Sequence, residues 1–596
     1  MFDSESVWAQ APQAPDLTEA TRAVTGMMQN GQAAARAAAA AVQKGTPGFD
    51  AAQAMQAMTA FQMGLMANPL KLMQANTAAM NDFAELWRSA ARRALGQDVE
   101  PVIEPARADR RFKDKAWSEE AGFDLVKQSY LLTARWLEGL VAEADGLDEE
   151  TRNRVAFIAR QYLNAVSPSN FPLTNPAVVR KTLATGGVNL LNGASNLMAD
   201  MAKGEGLVQR RADEDFELGV SIAATPGQVV FRNELMELIQ YTPSTDKVAK
   251  RPILFTPPTV NKFYLFDLKP QTSFFKWLVD QGHTVFVISW VNPDETHAAM
   301  DLTAYVTQGP VAALDAIEQA TGETSVDMIG YCLGGTLTAI AAAYLAGKGR
   351  GERVASATLI ATLTDFADLG EWSVFLGARE IAAFDAYLAE KGFVESHELA
   401  RLFSTVRAND LIWAPAVTHY LMGDKAPASD MLWWFDDGAR MPAAMLSEYM
   451  GRVVRDNALP ASGALTIDGV KVDLKAVKAP VFFVSLKEDH VSAWDATYKG
   501  MDLFGGETHF LLGGSGHNAG VINPPSAGKH GFWTNDAKAP TAEAWLEGAA
   551  KTDGSWWPHW QAWLAKDQEQ VKARKPGSGR LKALEPAPGS YVRVRR

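Results

Sequence analysis

The chain has 596 residues, of which 47% are hydrophobic and 21% charged, and its formal net charge is −12. This composition is typical of a soluble globular protein. It excludes disorder, collagen and coiled-coil rods for most of the chain, and the negative charge argues against a nucleic-acid partner. The single cysteine, Cys332, excludes a disulfide framework and a cysteine-based zinc site and favours a reducing compartment. The acidic start is unlike a secretory signal, and no apolar run approaches the roughly 18 residues that span a bilayer.

Residues 1–215 are predicted to form a mostly helical N-terminal domain. An alanine-rich run, Ala33–Ala41, has high helix propensity and little to bury. An apolar stripe follows at helical spacing, formed by Leu70, Met73, Met80 and Trp87. Either the stripe packs within its own domain, or it is a surface for a partner or a hydrophobic particle. The region lacks histidine and cysteine, so we expect it to serve docking and not chemistry.

Residues 216–565 are predicted to form an α/β catalytic domain. A hairpin is expected first, around Arg232-Asn233-Glu234. Short buried strand candidates then alternate with helical segments, at residues 252–255, 284–288, 326–329, 357–360, 481–484 and 509–512. Continuous apolar strands separated by helices predict a parallel sheet covered on both faces.

Two segments depart from this alternation. Residues about 365–475 are rich in aromatic side chains and too long for a loop, so we expect an insertion with its own helices that caps a site. Residues 566–596 are basic and contain prolines and glycines that should break regular structure. We predict a solvated C-terminal tail there, with contact to an anionic ligand or surface as the alternative.

The most informative motif is Gly330-Tyr331-Cys332-Leu333-Gly334-Gly335, which follows an apolar strand and opens an alanine-rich helix. It has the pattern of the nucleophile elbow of α/β-hydrolase folds, G-x-S-x-G, with sulfur in place of oxygen. We predict Cys332 as the nucleophile, the alternative being an inert buried cysteine. The helix N-terminus would stabilise a thiolate, and the Leu333 N–H would point toward a developing oxyanion.

An elbow nucleophile needs a base and an acid, and in this fold the chain order is nucleophile, acid, histidine. Asp489 follows the strand candidate at 481–484, and His517 follows the last strand candidate. We therefore predict His517 as the base and Asp489 as its partner. Asp365, after the strand candidate at 357–360, is the rival acid. His490 is expected to be structural, or else to support the site or contact the substrate.

The second oxyanion donor is expected in the loop after the first parallel strand, which two prolines stiffen. A backbone N–H of residues 259–261 is the candidate, and we take Val260 as the donor. No metal site is predicted.

Sulfur at the elbow also bears on the reaction. A cysteine nucleophile forms a thioester, whereas a serine forms an ester. Exchange with a coenzyme A thioester is then nearly isoenergetic, so the acyl group stays activated for transfer to a hydroxyl. The cysteine thus favours an acyltransferase over a hydrolase.

From about residue 60 to the end, the sequence resembles the polyhydroxyalkanoate synthases, especially the single-subunit class I enzymes. The motifs that carry the resemblance, besides the elbow, include Asp109-Arg110-Arg111-Phe112, Asn261-Lys262-Phe263-Tyr264, Ser289-Trp290-Val291-Asn292, Asn409-Asp410-Leu411-Ile412-Trp413, Glu488-Asp489-His490, Ser515-Gly516-His517 and Ser555-Trp556-Trp557-Pro558. The family often has Tyr-Leu-Arg in a cap helix, where this chain has Tyr449-Met450-Gly451-Arg452.

The resemblance implies an α/β-hydrolase fold with a large cap insertion, preceded by a mostly helical N-terminal domain. It implies a polymerase of (R)-3-hydroxyacyl-coenzyme A, with 3-hydroxybutyryl-coenzyme A as the expected monomer, that releases coenzyme A at cytoplasmic polyester granules. Cys332 would carry the growing chain, and Asp489 and His517 would complete the triad. A homodimer and association with phasins are implied, whereas a cofactor is not, since the coenzyme A thioester is the substrate.

Two other functions fit parts of the sequence. A thioesterase or polyester depolymerase would use the same fold, but serine is commoner there and a hydrolase gains nothing from a thioester. A non-catalytic granule scaffold would need only the N-terminal helices, and a triad in the expected chain order argues against it.

Overall fold

The computed structural model describes residues 51–106, 109–203, 216–424 and 429–595. The chain divides into two compact units. The first contains the described residues up to 203 together with 370–380 and 401–424, and the second contains those of 216–369, 381–400 and 429–595.

Helices make up most of the first unit. They are Ala51–Ala67, Pro69–Ala94, Ala116–Glu119, Ala121–Glu143, Glu149–Ala165, Pro176–Ala184, Val188–Lys203 and Ala414–Ala416. The helices of the second unit are Phe274–Asp280, Leu302–Val306, Ala312–Thr321, Leu333–Gly347, Asp430–Asp436, Ala443–Glu448, Trp494–Gly500, Ala542–Glu547 and Trp557–Leu564. Two more, Ala378–Lys391 and Ser396–Val406, lie in the predicted insertion.

A small polar network explains the Asp109-Arg110-Arg111-Phe112 motif of the first unit. Arg111 donates to both carboxylate oxygens of Asp109 and to the Tyr130 hydroxyl, 2.7 Å away. Tyr130 in turn donates to the Leu163 carbonyl at 3.0 Å. Phe112 packs edge-on against the buried ring of Trp117. The motif therefore joins three parts of this unit, and its contacts are structural.

The apolar stripe of the helix Pro69–Ala94 is open to solvent among the described residues. Leu70, Met73, Met80 and Trp87 are 60% to 72% exposed. The opposite face of the helix carries Leu86, which is 1% exposed. The residues that the structure describes therefore do not cover this stripe. The alanine-rich run Ala33–Ala41 lies outside the described residues.

One large sheet forms the core of the second unit. Its strands are β1 (Gly227–Arg232), β2 (Met236–Tyr241), β4 (Ile253–Thr256), β5 (Val285–Trp290), β6 (Val326–Tyr331), β7 (Val354–Ile360), β12 (Val481–Leu486), β13 (Thr508–Gly513), β14 (Phe532–Thr534), β15 (Ala550–Thr552) and β17 (Glu585–Pro586). Shorter strands pair outside it: β3 (Lys247–Ala249) with β16 (Gln570–Lys572), β8 (Phe393–Val394) with β9 (Met441–Pro442), and β10 (Thr466–Ile467) with β11 (Val470–Lys471).

The strand order is β15-β14-β13-β12-β7-β6-β4-β5-β2-β1-β17. The six strands from β13 to β5 are parallel, and the five others pair antiparallel. All residues of β4, β5, β6 and β12 are buried, as the continuous apolar runs predicted. The hairpin of β1 and β2 is confirmed as well. Since the carboxyl ends of parallel strands meet at one edge, the loops after β4, β6, β12 and β13 converge there.

The predicted insertion at 365–475 does not form one body. Residues 370–380 and 401–424 belong to the first unit, where the Phe375 ring packs against Phe157 and Glu380 accepts from Arg154 at 2.6 Å. The other described residues of the insertion belong to the second unit. The length of the insertion could be predicted from the sequence. Its division between the two units could not, because the division depends on side-chain partners that are far away in the chain.

The expectation of a solvated tail after residue 566 is wrong. Strand β16 pairs with β3, and β17 adds an edge strand to the large sheet. Val592 is 1% exposed, and the backbone N–H groups of Ser590 and Tyr591 donate to the buried carboxylate of Glu237. The prolines and glycines interrupt the tail without detaching it, because edge strands tolerate proline.

Asp267 is a buried carboxyl group of the second unit. Its Oδ1 accepts from the Ser273 and Thr225 hydroxyls at 2.6 and 2.5 Å. Burial nevertheless raises the pKa of Asp267 to about 6, against the effect of these hydrogen bonds. An acid whose pKa is higher in the folded state destabilises that state as it ionises, so this contribution to stability falls as the pH rises through 4 to 6.

Replacing Asp267 with asparagine should weaken the pH dependence of stability. Between about pH 5 and 7, the unfolding free energy of the wild type should fall about 1 kcal/mol more than that of Asp267→Asn. Urea denaturation followed by tryptophan fluorescence measures this difference. Asp280→Asn, at an exposed ion pair with Lys276, is the control. Equal pH dependence in wild type and Asp267→Asn would contradict the prediction.

Across the ranges that the structure describes, no helix is both long and apolar enough to cross a membrane. The same ranges contain no cluster of histidine, cysteine and carboxylate side chains that could hold a metal ion.

Candidate active site

Cys332 lies in a strained turn between β6 and the helix Leu333–Gly347. Its backbone has φ 53° and ψ −127°, a conformation that a residue with a Cβ atom rarely adopts. The turn is held because the Cys332 N–H donates to the Ile360 carbonyl at 2.9 Å. The side chain is partly exposed although both flanking elements are buried. This is the geometry of a nucleophile elbow.

Three glycines make the elbow possible by close approach. A Cβ atom on Gly330 would collide with Gly335, and one on Gly335 would collide with the Thr362 side chain. A Cβ atom on Gly334 would collide with the backbone of Thr256 and Pro257, at the end of β4. The elbow therefore packs directly on the loop that follows β4.

His517 and Asp489 form a buried pair at the same sheet edge. His517 Nδ1 lies 2.7 Å from Asp489 Oδ2. The other oxygen, Oδ1, accepts the backbone N–H groups of Val491 and Ser492 at 2.8 and 2.9 Å, which fixes the carboxylate. With Nδ1 engaged, Nε2 of His517 remains for the Cys332 thiol, whose charge acts on the imidazole. The structure thus brings together the three residues predicted as a triad.

The charges of the site favour a protonated imidazole. Burial of His517 opposes protonation, but the negative charges of Asp489 and Cys332, with hydrogen bonds to both, raise the pKa of His517 to about 10. The imidazole is therefore in its cationic form at neutral pH, next to the side chain of Cys332. This state suits nucleophilic attack followed by proton transfer to a leaving group.

The other predicted acid lies apart from this pair, whereas the second histidine is adjacent to Asp489 in the chain. Asp365 Oδ1 accepts from the Asn457 side chain at 2.8 Å and from the Ala367 N–H at 2.9 Å, so it stabilises its own loop. Asp489, and not Asp365, is the carboxylate that contacts His517. His490 is half-buried next to Asp489 in the turn, and its role stays a prediction.

Two backbone groups were predicted as oxyanion donors, the N–H groups of Leu333 and Val260. Leu333 is the first residue of its helix, so its N–H has no partner within the helix and lies at the positive end of the helix dipole. Val260 lies in the loop after β4, and its carbonyl accepts the Ala439 N–H at 3.0 Å, which fixes the peptide group between Val260 and Asn261. Their roles as donors stay predictions.

Sequence reasoning missed three polar side chains around the nucleophile. The hydroxyl of Tyr331 donates to Asn518 Oδ1 at 2.7 Å, next to His517. Burial, with the charges of Cys332 and Asp489, raises the pKa of Tyr331 well above its usual value, so the hydroxyl keeps its proton. Burial, with the charge of Cys332, also raises the pKa of Tyr449. The only sequence signal was the position of Tyr331 inside the elbow motif.

Known protein families match both halves of the chain. Residues 108–278 match the family described as "Poly-beta-hydroxybutyrate polymerase (PhaC) N-terminus", and residues 267–524 match the alpha/beta hydrolase fold. The second match confirms the predicted fold.

Relatives align along most of the chain. It is 45% identical over 534 residues to the poly(3-hydroxyalkanoate) polymerase of Methylorubrum extorquens, covering 89% of this chain and 88% of the relative. It is 44% identical over 533 residues to the poly(3-hydroxyalkanoate) polymerase subunit PhaC of Rhizobium meliloti, covering 89% and 87%. The PhaC subunit of Cupriavidus necator is 38% identical over 540 residues, covering 89% and 90%.

Proposed function

Because this chain belongs to the poly(3-hydroxyalkanoate) polymerase family, we propose that it polymerises (R)-3-hydroxyacyl-coenzyme A through an acyl thioester on Cys332. The observation that carries this mechanism is the Cys332 elbow beside the buried pair of His517 and Asp489. We further propose that the enzyme belongs to the single-subunit class I, and that 3-hydroxybutyryl-coenzyme A is its monomer.

In the first step, the Cys332 thiolate attacks the thioester carbonyl of the substrate. The carbonyl oxygen becomes an oxyanion that the Leu333 and Val260 N–H groups stabilise. When the intermediate collapses, the bond to the coenzyme A sulfur breaks and His517 gives its proton to that sulfur. The acyl group is then bound to Cys332, and free coenzyme A leaves.

In the second step, the 3-hydroxyl of an incoming acyl group attacks the Cys332 thioester. His517 Nε2 takes the hydroxyl proton, an ester bond forms and the carbon–sulfur bond to Cys332 breaks. Asp489 holds the imidazole orientation and stabilises its positive charge during both steps. No bound cofactor is needed, because the coenzyme A thioester supplies the activated acyl group.

Incubation of the purified protein with 3-hydroxybutyryl-coenzyme A tests this function. We expect release of free thiol together with turbidity from insoluble polyester. Free thiol with a clear solution containing 3-hydroxybutyrate would identify a thioesterase instead. Without any thiol release, the protein would be a scaffold.

We propose that the chain works as a homodimer at the surface of cytoplasmic polyester granules, with phasins as further partners. The exposed stripe of Leu70, Met73, Met80 and Trp87 supports this, because an apolar helix face open to solvent is typical of an interaction surface. Each apolar side chain buried there would contribute roughly 1.5–3 kcal/mol.

Glutamine at Met73, Met80 and Trp87 together should therefore weaken docking and leave the chemistry intact. These side chains are exposed, so the fold should not change. We expect acyl-enzyme formation at the wild-type rate, with a lower dimer fraction in sedimentation and less protein on sedimented granules. Asn81→Gln, on the same helix, is the control. Unchanged sedimentation and granule binding in the triple variant would contradict the docking role.

A further inference from the structure

A buried ion pair connects the loop after β4 to the segment after the helix Asp430–Asp436. Lys262 Nζ lies 2.8 Å from Asp437 Oδ1, and the two side chains are only 5% and 8% exposed. The second oxygen of Asp437 accepts the Tyr264 hydroxyl at 2.7 Å. Charges that are removed from water need several such partners, and replacing a buried pair by apolar residues often costs nothing. Stability alone therefore does not account for this pair.

The pair fastens two backbone segments that lie side by side. The Ala439 N–H donates to the Val260 carbonyl, and Asn261 forms an isolated antiparallel bridge with Gly438. The Trp434 indole N–H donates to the Lys262 carbonyl at 2.7 Å. The peptide groups that follow Val260 are thus held by the segment that carries Asp437, which fixes the loop on the C-terminal side of the Val260 N–H.

The C-terminal end of the chain completes this arrangement. The Val594 carbonyl accepts Lys262 Nζ at 3.1 Å and the Asn292 side-chain amide at 3.2 Å. The Arg595 guanidinium lies 4.2 Å from the ring centre of Trp433 and 3.9 Å from Asp437 Oδ1. Lys262 Nζ therefore contacts both the Asp437 carboxylate and the Val594 carbonyl, and the two contacts fix its position.

The loop of Val260 also contacts the nucleophile elbow. Gly334 packs on the backbone of Thr256 and Pro257, and the Trp290 indole donates to the Pro257 carbonyl at 2.9 Å. One end of the loop is thus fixed by the elbow and the sheet, and the other end by Lys262. An oxyanion donor must be placed within about 0.5 Å to act, so both ends need support.

We propose that Lys262 and Asp437 are positioning residues that, with the Val594 carbonyl, hold the Val260 N–H at the oxyanion. This inference rests on the proposed thioester chemistry of Cys332. Neither residue is proposed to touch the substrate. Both act through the backbone contacts that join Val260 and Asn261 to Gly438 and Ala439. Residues 594 and 595 accordingly support the oxyanion-binding loop.

The test compares two reactions of Cys332, of which only the first needs an oxyanion donor. The first is acylation by 3-hydroxybutyryl-coenzyme A, measured as coenzyme A released in a single turnover. The second is alkylation by iodoacetamide, which displaces iodide and forms no oxyanion. For Lys262→Met we expect acylation to slow by about 10²-fold, while alkylation keeps the wild-type rate.

Two milder variants keep the test decisive if Lys262→Met does not fold. Tyr264→Phe removes one hydroxyl from Asp437, and Arg595→Ala removes the guanidinium above Trp433. Both should slow acylation less than Lys262→Met and leave alkylation unchanged. The control is Lys276→Met, which breaks an exposed lysine–aspartate pair in the same unit and should change neither rate.

The outcomes separate this inference from the proposed function. Wild-type acylation rates in Lys262→Met, or in both milder variants, would overturn the positioning role. A parallel loss of acylation and alkylation would overturn it too, because it would show that Lys262 maintains the fold around Cys332. If the wild-type protein is not acylated at all, the proposed function itself fails.

Discussion

Cys332→Ala should lose coenzyme A release by about 10⁴-fold or more, because the nucleophile is removed and the oxyanion donors and binding groups alone remain. No other cysteine can replace it in the chain. The measurement is thiol release from 3-hydroxybutyryl-coenzyme A together with mass spectrometry of the acylated protein. Circular dichroism should be unchanged, because alanine keeps the Cβ atom and the substitution removes only the sulfur of a partly exposed side chain.

Cys332→Ser is the matched control for this prediction. Oxygen is a poorer leaving group than sulfur, so the serine variant should be acylated slowly and then fail to pass its acyl group on. Turnover of Cys332→Ala at a rate close to that of the wild type would exclude Cys332 as the nucleophile.

His517→Gln should reduce polymerisation by about 10²–10⁴-fold, because the variant loses the group that protonates coenzyme A and deprotonates the incoming hydroxyl. Asp489→Asn should be milder in acylation and more severe in elongation, since a thiol ionises more readily than an alcohol. Single-turnover coenzyme A release and polymer mass measure the two steps separately.

The pH dependence of Cys332 reactivity gives a second test of the role of Asp489. The charges of Asp489 and Cys332 hold the pKa of His517 at about 10, so the imidazolium form is present at neutral pH and is lost as the pH rises through about 10. Without the Asp489 charge this pKa falls toward its usual value of about 6.5, and Cys332 loses its cationic partner at neutral pH. The iodoacetamide reactivity of Cys332 should therefore move to higher pH in Asp489→Asn.

Asp365→Asn is the control, because Asp365 contacts Asn457 and not His517. If Asp365→Asn moved the pH profile and Asp489→Asn did not, the assignment of the acid would be wrong.

The sheet and the triad could be predicted because their signals are local. The buried strands read as continuous apolar runs, and the elbow requires small residues at fixed spacing around Cys332. The choice of Asp489 over Asp365 followed from its position after the strand candidate at 481–484, and the 2.7 Å contact with His517 agrees with it. Each of these features depends on neighbouring residues or on a known order of elements.

The remaining features depend on contacts between residues far apart in the chain. The basic composition after residue 566 predicted a solvated tail, whereas pairing of Glu585 with Val229 places the tail on the sheet. The partner of Lys262 is Asp437, separated from it by 175 positions. Tyr449 likewise lies near Cys332 only through tertiary packing. Composition and periodicity carry no information about such partners.

The contacts of residues 594 and 595 have a consequence for protein engineering. The Val594 carbonyl accepts Lys262 Nζ at 3.1 Å, and the Arg595 guanidinium lies 4.2 Å from the ring centre of Trp433. A change that displaces these two residues would therefore act on the loop of Val260, although no catalytic group lies among them. Immobilisation or labelling of the protein should accordingly avoid this segment and use an exposed position such as Lys276.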